Sequence, residues 1–364
     1  MLDAALGDPD GFIRQTAGPT VIDEVQRAPD LLRAVKLEVD RNRQPGRFLL
    51  TGSANILTLS AVTETLAGRV AVHHLRRFSW SELRRSSPSP LPELIFEARD
   101  ARDLVEGLRA RAQASHLDEL EALILSGGYP EPALMSSDEA RHTWFESFRQ
   151  TYIERDLRDI AQIANLPDFN RLMTTLNLRT AQLLNTAELS REIGLPATTL
   201  RRYFNLLDQT YQFDMLQPFS TNLAKRLVKT PKIYAADTGM ACHLGAVDTW
   251  PAMERFNLVG PLVETWAHAE LRKLLELQAR HTDLSFWRTR TGQEVDFILE
   301  RGGQLAGIEV KWSATLDRRQ LRALHECRRT LAPRWQMGVL LHGGTEPIAL
   351  DDQTAAIPFS CAFA

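Results

Sequence analysis

Two groups of acidic side chains have types and spacing that could support metal-assisted chemistry. Late in the chain, Asp296 is followed by Glu309 and Lys311 in the pattern Asp…Glu-x-Lys. Two such carboxylates can coordinate Mg²⁺, and the lysine can orient or deprotonate an attacking water. Early in the chain, the run PTVIDE places Asp23 and Glu24 directly after a short apolar segment. There the first carboxylate could hold Mg²⁺ through water, and the second could polarise the water that attacks a phosphate.

Four strands and two helices must position the late group. Residues 284–312 have the alternation and glycine turns of three strands, which puts Glu309 and Lys311 on the same side of the third strand. Upstream, Glu264 lies early in a helical stretch and could be a further metal ligand. A helix at 316–331 and a strand near 335–341 complete an αβββαβ order, which is typical of the PD-(D/E)XK, or restriction-endonuclease-like, fold. The alternative is an exposed Glu–Lys strand pair and a glutamate that only favours a helix N-terminus.

The early group needs a second strand beside the first. Residues 47–55 read RFLLTGSAN, an apolar strand that ends in a polar turn. Ligands in nucleotide-binding α/β folds lie at the carboxyl ends of adjacent parallel strands, so Ser53 or Asn55 could sense a γ-phosphate. Apolar residues at helical spacing between the strands predict a strand–helix–strand crossover, and PTVIDE then has the position of a Walker B strand. The alternative is two strand ends without a ligand.

The middle of the chain has the pattern of a helix-turn-helix followed by a wing. Thr186 could cap a helix that runs to Ile193, Gly194 would end it, and Thr198 could begin a second helix. Two β-runs joined by a basic loop follow, as in a winged-helix domain. Such a module contacts DNA phosphates or only packs against a neighbour, and both readings stay open. The candidate DNA contacts are Arg201 and Arg202 on the second helix and Lys225, Arg226 and Lys229 in the loop.

A long series of motifs resembles a family of prokaryotic AAA-type ATP-binding proteins whose ATPase module precedes a C-terminal domain of unknown function. The series is VIDEVQRAPDLLRAVKLEVDRN, GRFLLTGSANIL, ETLAGRV, SGGYPEPAL and YIERDL. The resemblance implies a P-loop fold for the first block and ATP with Mg²⁺ as the family's cofactors. It also implies that Arg69 of LAGR faces a phosphate or a neighbouring subunit; a surface arginine is the alternative.

One departure from that family concerns ATP. The family begins with a Walker A loop, G-x-x-x-x-G-K-[ST], and the sequence contains no such pattern. Because this loop supplies most of the contacts to the triphosphate, we expect impaired ATP binding by this chain alone. We also expect the chain to be a fragment, or its start to have been placed too far downstream.

Together these patterns predict an α/β protein with three blocks. Residues 1–180 would be a partial AAA-type domain with a helical lid, 181–255 a winged-helix-like domain, and 256–364 a PD-(D/E)XK nuclease-like domain. With 44% hydrophobic residues and a net charge of -3, the composition is that of a globular protein without a general attraction to nucleic acid, so any DNA contact needs a local basic patch. Three separated cysteines and no long apolar run favour a cytoplasmic protein without a membrane contact. DNA and further copies of the chain are the candidate partners.

Overall fold

The computed structural model describes residues 1–52, 66–112, 117–151, 163, 165–220 and 230–364. These fall into two compact units, residues 1–75 with 204–212, and residues 76–203 with 213–364. No helix in the described ranges is long and apolar enough to cross a membrane. The division into three blocks stays a prediction.

The helices and strands are labelled in chain order. The helices are α1 (Leu2–Gly7), α2 (Pro9–Arg14), α3 (Leu31–Arg41), α4 (Trp80–Leu83), α5 (Leu91–Glu97), α6 (Ala101–Arg109), α7 (Leu117–Ser126), α8 (Pro130–Leu134), α9 (Asp138–Phe148), α10 (Leu166–Leu178), α11 (Thr186–Ile193), α12 (Ala197–Gln209), α13 (Thr238–Leu244), α14 (Trp250–Arg255), α15 (Val259–Glu276), α16 (Arg322–Leu331) and α17 (Phe359–Phe363). The strands are β1 (Thr20–Ile22), β2 (Phe48–Leu50), β3 (Gln182–Leu183), β4 (Phe213–Leu216), β5 (Lys232–Ala235), β6 (Asp283–Arg288), β7 (Glu294–Arg301), β8 (Gln304–Lys311), β9 (Trp335–His342), β10 (Ile348–Asp351) and β11 (Thr354–Pro358).

The first unit contains the predicted strand–helix–strand crossover. β1 and β2 pair in parallel, with Thr20 opposite Phe48 and Ile22 opposite Leu50. The helix between them, α3, buries the apolar face that its spacing predicted, including Leu32, which is fully buried. This face joins a core with α1, α2 and the end of β1. The packing therefore brings the carboxyl ends of the two strands side by side.

A small antiparallel sheet in the order β3-β5-β4 accompanies the two predicted helices α11 and α12. Gly194 ends α11 at φ 76°, a left-handed conformation that favours glycine. Two details of the sequence prediction are wrong. Asn185, not Thr186, caps α11, through a hydrogen bond from the backbone N–H of Glu188 (3.1 Å). The second helix begins at Ala197, one residue before Thr198.

The larger sheet has the strand order β10-β11-β9-β8-β7-β6. β6, β7 and β8 are antiparallel neighbours, whereas β8, β9 and β11 run parallel. Along the chain the order α15, β6, β7, β8, α16, β9 is the predicted αβββαβ order. A 3₁₀ turn at Arg318–Leu321 precedes α16, which packs against β7, β8 and β9. β10 and β11 extend the sheet beyond the predicted elements.

Candidate functional site

Asp296 lies where two neighbouring strands of the larger sheet separate. The paired part of β7 and β8 ends at Phe297 and Ile308. Beyond this point the Asp296 Oδ2 atom accepts a hydrogen bond from the backbone N–H of Val310 (2.8 Å). The carboxylate thus replaces a backbone acceptor of the interrupted ladder, and it holds the end of β8 beside β7.

Glu309 and Lys311 project from that held end of β8. The Lys311 Nζ atom lies 2.7 Å from Glu309 Oε1. The other oxygen, Glu309 Oε2, is buried and has no hydrogen-bond partner among the described residues. Burial, together with the negative charge of Asp296, raises the pKa of Glu309 to about 8. The site therefore contains a buried carboxyl group with one oxygen unsatisfied.

Glu264 enters the same cluster from α15. Its Oε1 atom accepts hydrogen bonds from the Lys232 Nζ atom (2.8 Å) and the Tyr234 hydroxyl (2.6 Å). Burial and the nearby charge of Asp296 raise the pKa of Glu264 to about 7. The four residues predicted from the late sequence pattern thus come together in the structure.

The sequence reasoning missed Lys232 and Tyr234, which belong to β5 of the smaller sheet. Lys232 Nζ also contacts Glu294 and lies 3.8 Å from Asp296 Oδ1. Spacing by two residues indicates that both side chains share one face of a strand. Nothing in the sequence indicates that this face meets α15 and β7, because that contact is between distant segments.

An open cleft leads to Glu309 and Lys311. Its remaining lining includes Thr291, Gln293 and the guanidinium groups of Arg319 and Arg322 near the start of α16. Both arginines are exposed, and neither forms an ion pair with any residue that the structure describes. The cleft therefore joins the buried carboxylates to a positively charged rim.

The early acidic group has a different neighbour from the predicted ones. The Thr51 hydroxyl, directly after β2, donates a hydrogen bond to Asp23 Oδ1. Glu24 follows Asp23 in a left-handed conformation at φ 53°. The two predicted sensor residues, Ser53 and Asn55, lie outside the described residues. Thr51 begins the same polar turn, so the strand-end pattern could have identified it.

The remaining predicted residues lie on the surface or outside the described ranges. Arg69 forms an ion pair with Asp40 of α3 (2.6 Å), so its guanidinium already has a carboxylate partner. Arg201 and Arg202 are exposed on α12. The candidate loop contacts Lys225, Arg226 and Lys229 lie outside the described residues, as does the YIERDL segment at 152–157.

His268 beside the cluster gives the fold a measurable pH dependence. Its ring stacks on Tyr234 with 4.2 Å between centroids, and burial lowers its pKa from 6.5 to about 3. Between pH 6.5 and about pH 3 this histidine is therefore protonated in the unfolded chain but neutral in the folded protein. The contribution of the neutral His268 to the free energy of unfolding is accordingly lost as the pH falls below 6.5. We expect the wild type to lose about 2 kcal/mol more stability than His268→Phe between about pH 7.5 and about pH 5.

Urea unfolding of both proteins across this pH range measures the difference. Glu264 and Glu309, whose pKa values are raised, change the stability with pH in the opposite direction. Both proteins contain these glutamates, so their contribution cancels when the wild type is compared with His268→Phe. Parallel pH curves for the two proteins would show that His268 is not held neutral by burial.

Family models match three parts of the chain. Residues 3–84 match an AAA domain, and residues 117–250 and 259–362 match two domains of unknown function, DUF8612 and DUF4143. The AAA match at the start and the DUF4143 match at the end support an AAA-type ATPase-like protein.

Two uncharacterized mycobacterial proteins are similar over most of the chain. They are Rv2008c of Mycobacterium tuberculosis and Mb2031c of Mycobacterium bovis, and each is 31% identical over 310 residues. The aligned region covers 85% of this chain and 62% of each relative, so the chain spans about three fifths of the length of these proteins. No solved structure matches.

Proposed function

We propose that this AAA-type ATPase-like protein acts on DNA, and that its C-terminal domain is a metal-dependent nuclease of the PD-(D/E)XK kind. The observation that carries the proposal is the meeting of Asp296, Glu309 and Lys311 where β7 and β8 separate, at the end of an open cleft. Two acids and a lysine can supply the metal ligands and the group that orients water in metal-assisted phosphodiester hydrolysis.

The donor set suits Mg²⁺ or Mn²⁺. Within the described parts of the chain, no group of three or more His, Cys, Asp or Glu side chains is arranged to hold a metal. Mg²⁺, however, commonly binds through only one or two carboxylates and keeps several waters. Asp296 and Glu309 would hold the ion, and the unpartnered buried Oε2 of Glu309 is the specific sign that a cation fits. A divalent ion there would stabilise the charge that develops on a phosphodiester.

The protein's own groups would complete the reaction. The Lys311 ammonium, fixed by Glu309, stands at the cleft where it could orient a water or a phosphate oxygen. Arg319 and Arg322 would bind the backbone phosphates that flank the reacting one. Arg201 and Arg202 on α12 offer a second place for phosphate contacts.

A cleavage assay on supercoiled plasmid with Mg²⁺ or Mn²⁺ tests the proposal. Asp296→Asn preserves the side-chain shape but removes a charged ligand, and Lys311→Met removes the ammonium. We expect each to reduce cleavage by on the order of 100-fold or more. Asp283→Asn, an exposed aspartate at the start of β6, is the matched control and should leave cleavage unchanged. Equal cleavage by all four proteins would assign the activity to a contaminant and refute the proposal.

Nucleotide binding by the first block is a second candidate function. It is favoured by the AAA match over residues 3–84 and by the parallel strands that join Asp23 to Thr51. A carboxylate and a hydroxyl at adjacent strand ends are groups that can hold Mg²⁺ and contact a γ-phosphate. A purely DNA- or protein-binding role is the remaining alternative, and the Asp296→Asn assay separates it from the nuclease.

A further inference from the structure

A buried lysine already occupies part of the acidic cluster. Lys232 is 2% exposed. Its ammonium lies 2.8 Å from Glu264 Oε1, contacts Glu294 and lies 3.8 Å from Asp296 Oδ1. One ammonium group thus forms ion pairs with three carboxylates, which is the arrangement expected of a bound cation.

This cation comes from outside the nuclease-like elements. Lys232 is the first residue of β5, the central strand of the smaller sheet, and it pairs with Leu183 on one side and Leu216 on the other. Tyr234, two residues later, binds the same Glu264 oxygen. Backbone pairing on both sides therefore holds β5 within the smaller sheet, and the contacts to Glu264, Glu294 and Asp296 place the ammonium in the cluster.

The charges of the cluster are nearly balanced by side chains alone. The carboxylates are those of Glu264, Glu294, Asp296 and Glu309, and the cations are Lys232, Lys311 and Arg288, which binds Glu294 at 2.6 Å. Burial alone would lower the pKa of Lys232, but the carboxylates outweigh it and raise that pKa, so the group stays charged. With all of these groups ionised, the cluster has a net charge of -1, because four carboxylates face three cations. Without Lys232 the net charge would be -2, which a divalent ion matches.

We propose that the Lys232 ammonium is a resident cation: it occupies part of the site that a divalent ion would take among these carboxylates, and it thereby lowers the affinity of the protein for that ion. The inference rests on the proposed metal at Asp296 and Glu309. An ion bound there would lie close to the ammonium, because Lys232 Nζ is 3.8 Å from Asp296 Oδ1, and like charges this near each other in a buried site repel strongly. Lys232 would also keep Glu264 engaged and out of the metal's coordination.

Mn²⁺ binding, followed by electron paramagnetic resonance of the free ion, tests this without any cleavage assay. We expect Lys232→Met to bind Mn²⁺ at least about tenfold more tightly than the wild type. Lys273→Met is the matched control, because Lys273 also pairs with a buried glutamate of α15, Glu270 (2.7 Å), but lies outside the cluster. Its Mn²⁺ affinity should equal that of the wild type.

Lys232→Met alone leaves several buried carboxylates without their partner, which could prevent folding. The double variant Lys232→Met/Glu264→Gln removes one acid together with the lysine and keeps Asp296 and Glu309. We expect this variant also to bind Mn²⁺ more tightly than the wild type, because it has the same net charge in the cluster but lacks the ammonium that repels the ion. An affinity equal to that of the wild type in the folded variants, or no Mn²⁺ binding by any of them, would overturn the inference.

The two proposals can fail separately. Tighter Mn²⁺ binding by the Lys232 variants, without cleavage of DNA by any variant, would uphold the resident cation and refute the nuclease. Cleavage that depends on Asp296, with Mn²⁺ affinity unchanged by loss of Lys232, would uphold the nuclease and refute the resident cation.

Discussion

Gly239→Ala is expected to destabilise the protein by about 3 kcal/mol or more, because backbone atoms fill the space that a side chain would need. A Cβ atom at Gly239 would lie 2.4 Å from the carbonyl oxygen of Ser126 and 2.7 Å from the backbone nitrogen of Gly127. Real Cβ atoms do not approach so closely, and a backbone cannot rotate away as a flexible side chain can. The start of α13 would have to move off the end of α7.

The neighbouring contacts make such a movement costly. Asp237 caps α13 through the backbone N–H of Met240 (2.8 Å) and also accepts a hydrogen bond from the backbone N–H of Gly128 (2.8 Å). Displacing α13 would break the second of these bonds and leave the buried Asp237 Oδ2 atom with only its longer ion pair to Arg77 (3.8 Å).

The urea midpoint, followed by tryptophan fluorescence, measures the effect. Gly260→Ala is the matched control, because Gly260 lies in α15 and a Cβ atom there would meet nothing within 4 Å. Alanine is the better helix former, so this variant should be unchanged or slightly more stable. Equal midpoints for the two variants would show that α13 does not sit against the Ser126–Gly127 backbone.

Trp80→Ala is expected to cost about 3–5 kcal/mol, the range for removing a large buried aromatic side chain. Trp80 is 2% exposed and packs edge-to-face against Trp266 of α15, with 5.7 Å between ring centroids. Trp266 in turn contacts Phe359 and Phe363 of α17. The cavity would therefore open among rings that connect α4, α15 and the end of the chain.

A graded pair of variants separates packing from hydrogen bonding at this position. Trp80→Phe keeps a ring but loses the hydrogen bond from the indole N–H to Glu119 Oε1 (2.8 Å), so it should cost only about 1–3 kcal/mol. Phe256→Ala, at an exposed aromatic residue, should change the urea midpoint little. A loss for Trp80→Ala no larger than that for Phe256→Ala would contradict the buried aromatic contact.

Local sequence patterns predicted several elements because the information lies within each element. Helical spacing of Leu31, Leu32 and Val35 predicted α3 and its buried face, and Gly194 predicted the end of α11. The αβββαβ order was predicted from strand alternation and glycine turns. The sequence prediction puts the cap of α11 one residue too late, at Thr186 and not at Asn185. Asparagine and threonine are both good helix caps, and only the backbone conformation distinguishes the two neighbours.

The SGGYP segment shows what a local pattern leaves out. Its glycines follow directly after α7, which ends at Ser126, and glycines in such a position are a common signal for the end of a helix. Their further role is to let Asp237 and the start of α13 approach, since a Cβ atom at Gly127 would lie 2.2 Å from Asp237 Oδ1. More than a hundred residues separate these partners in the sequence.

The sequence alone determined which side chains could perform chemistry and which faces of their own strands and helices they occupy, because periodicity is a property of one segment. The tertiary structure decided which of those faces meet. It placed Glu264, Asp296 and Glu309 in one buried cluster, and it brought Lys232 into that cluster from another sheet. Such a contact depends on how whole elements pack, and the free energy of burying and pairing these charges exists only once the elements have come together.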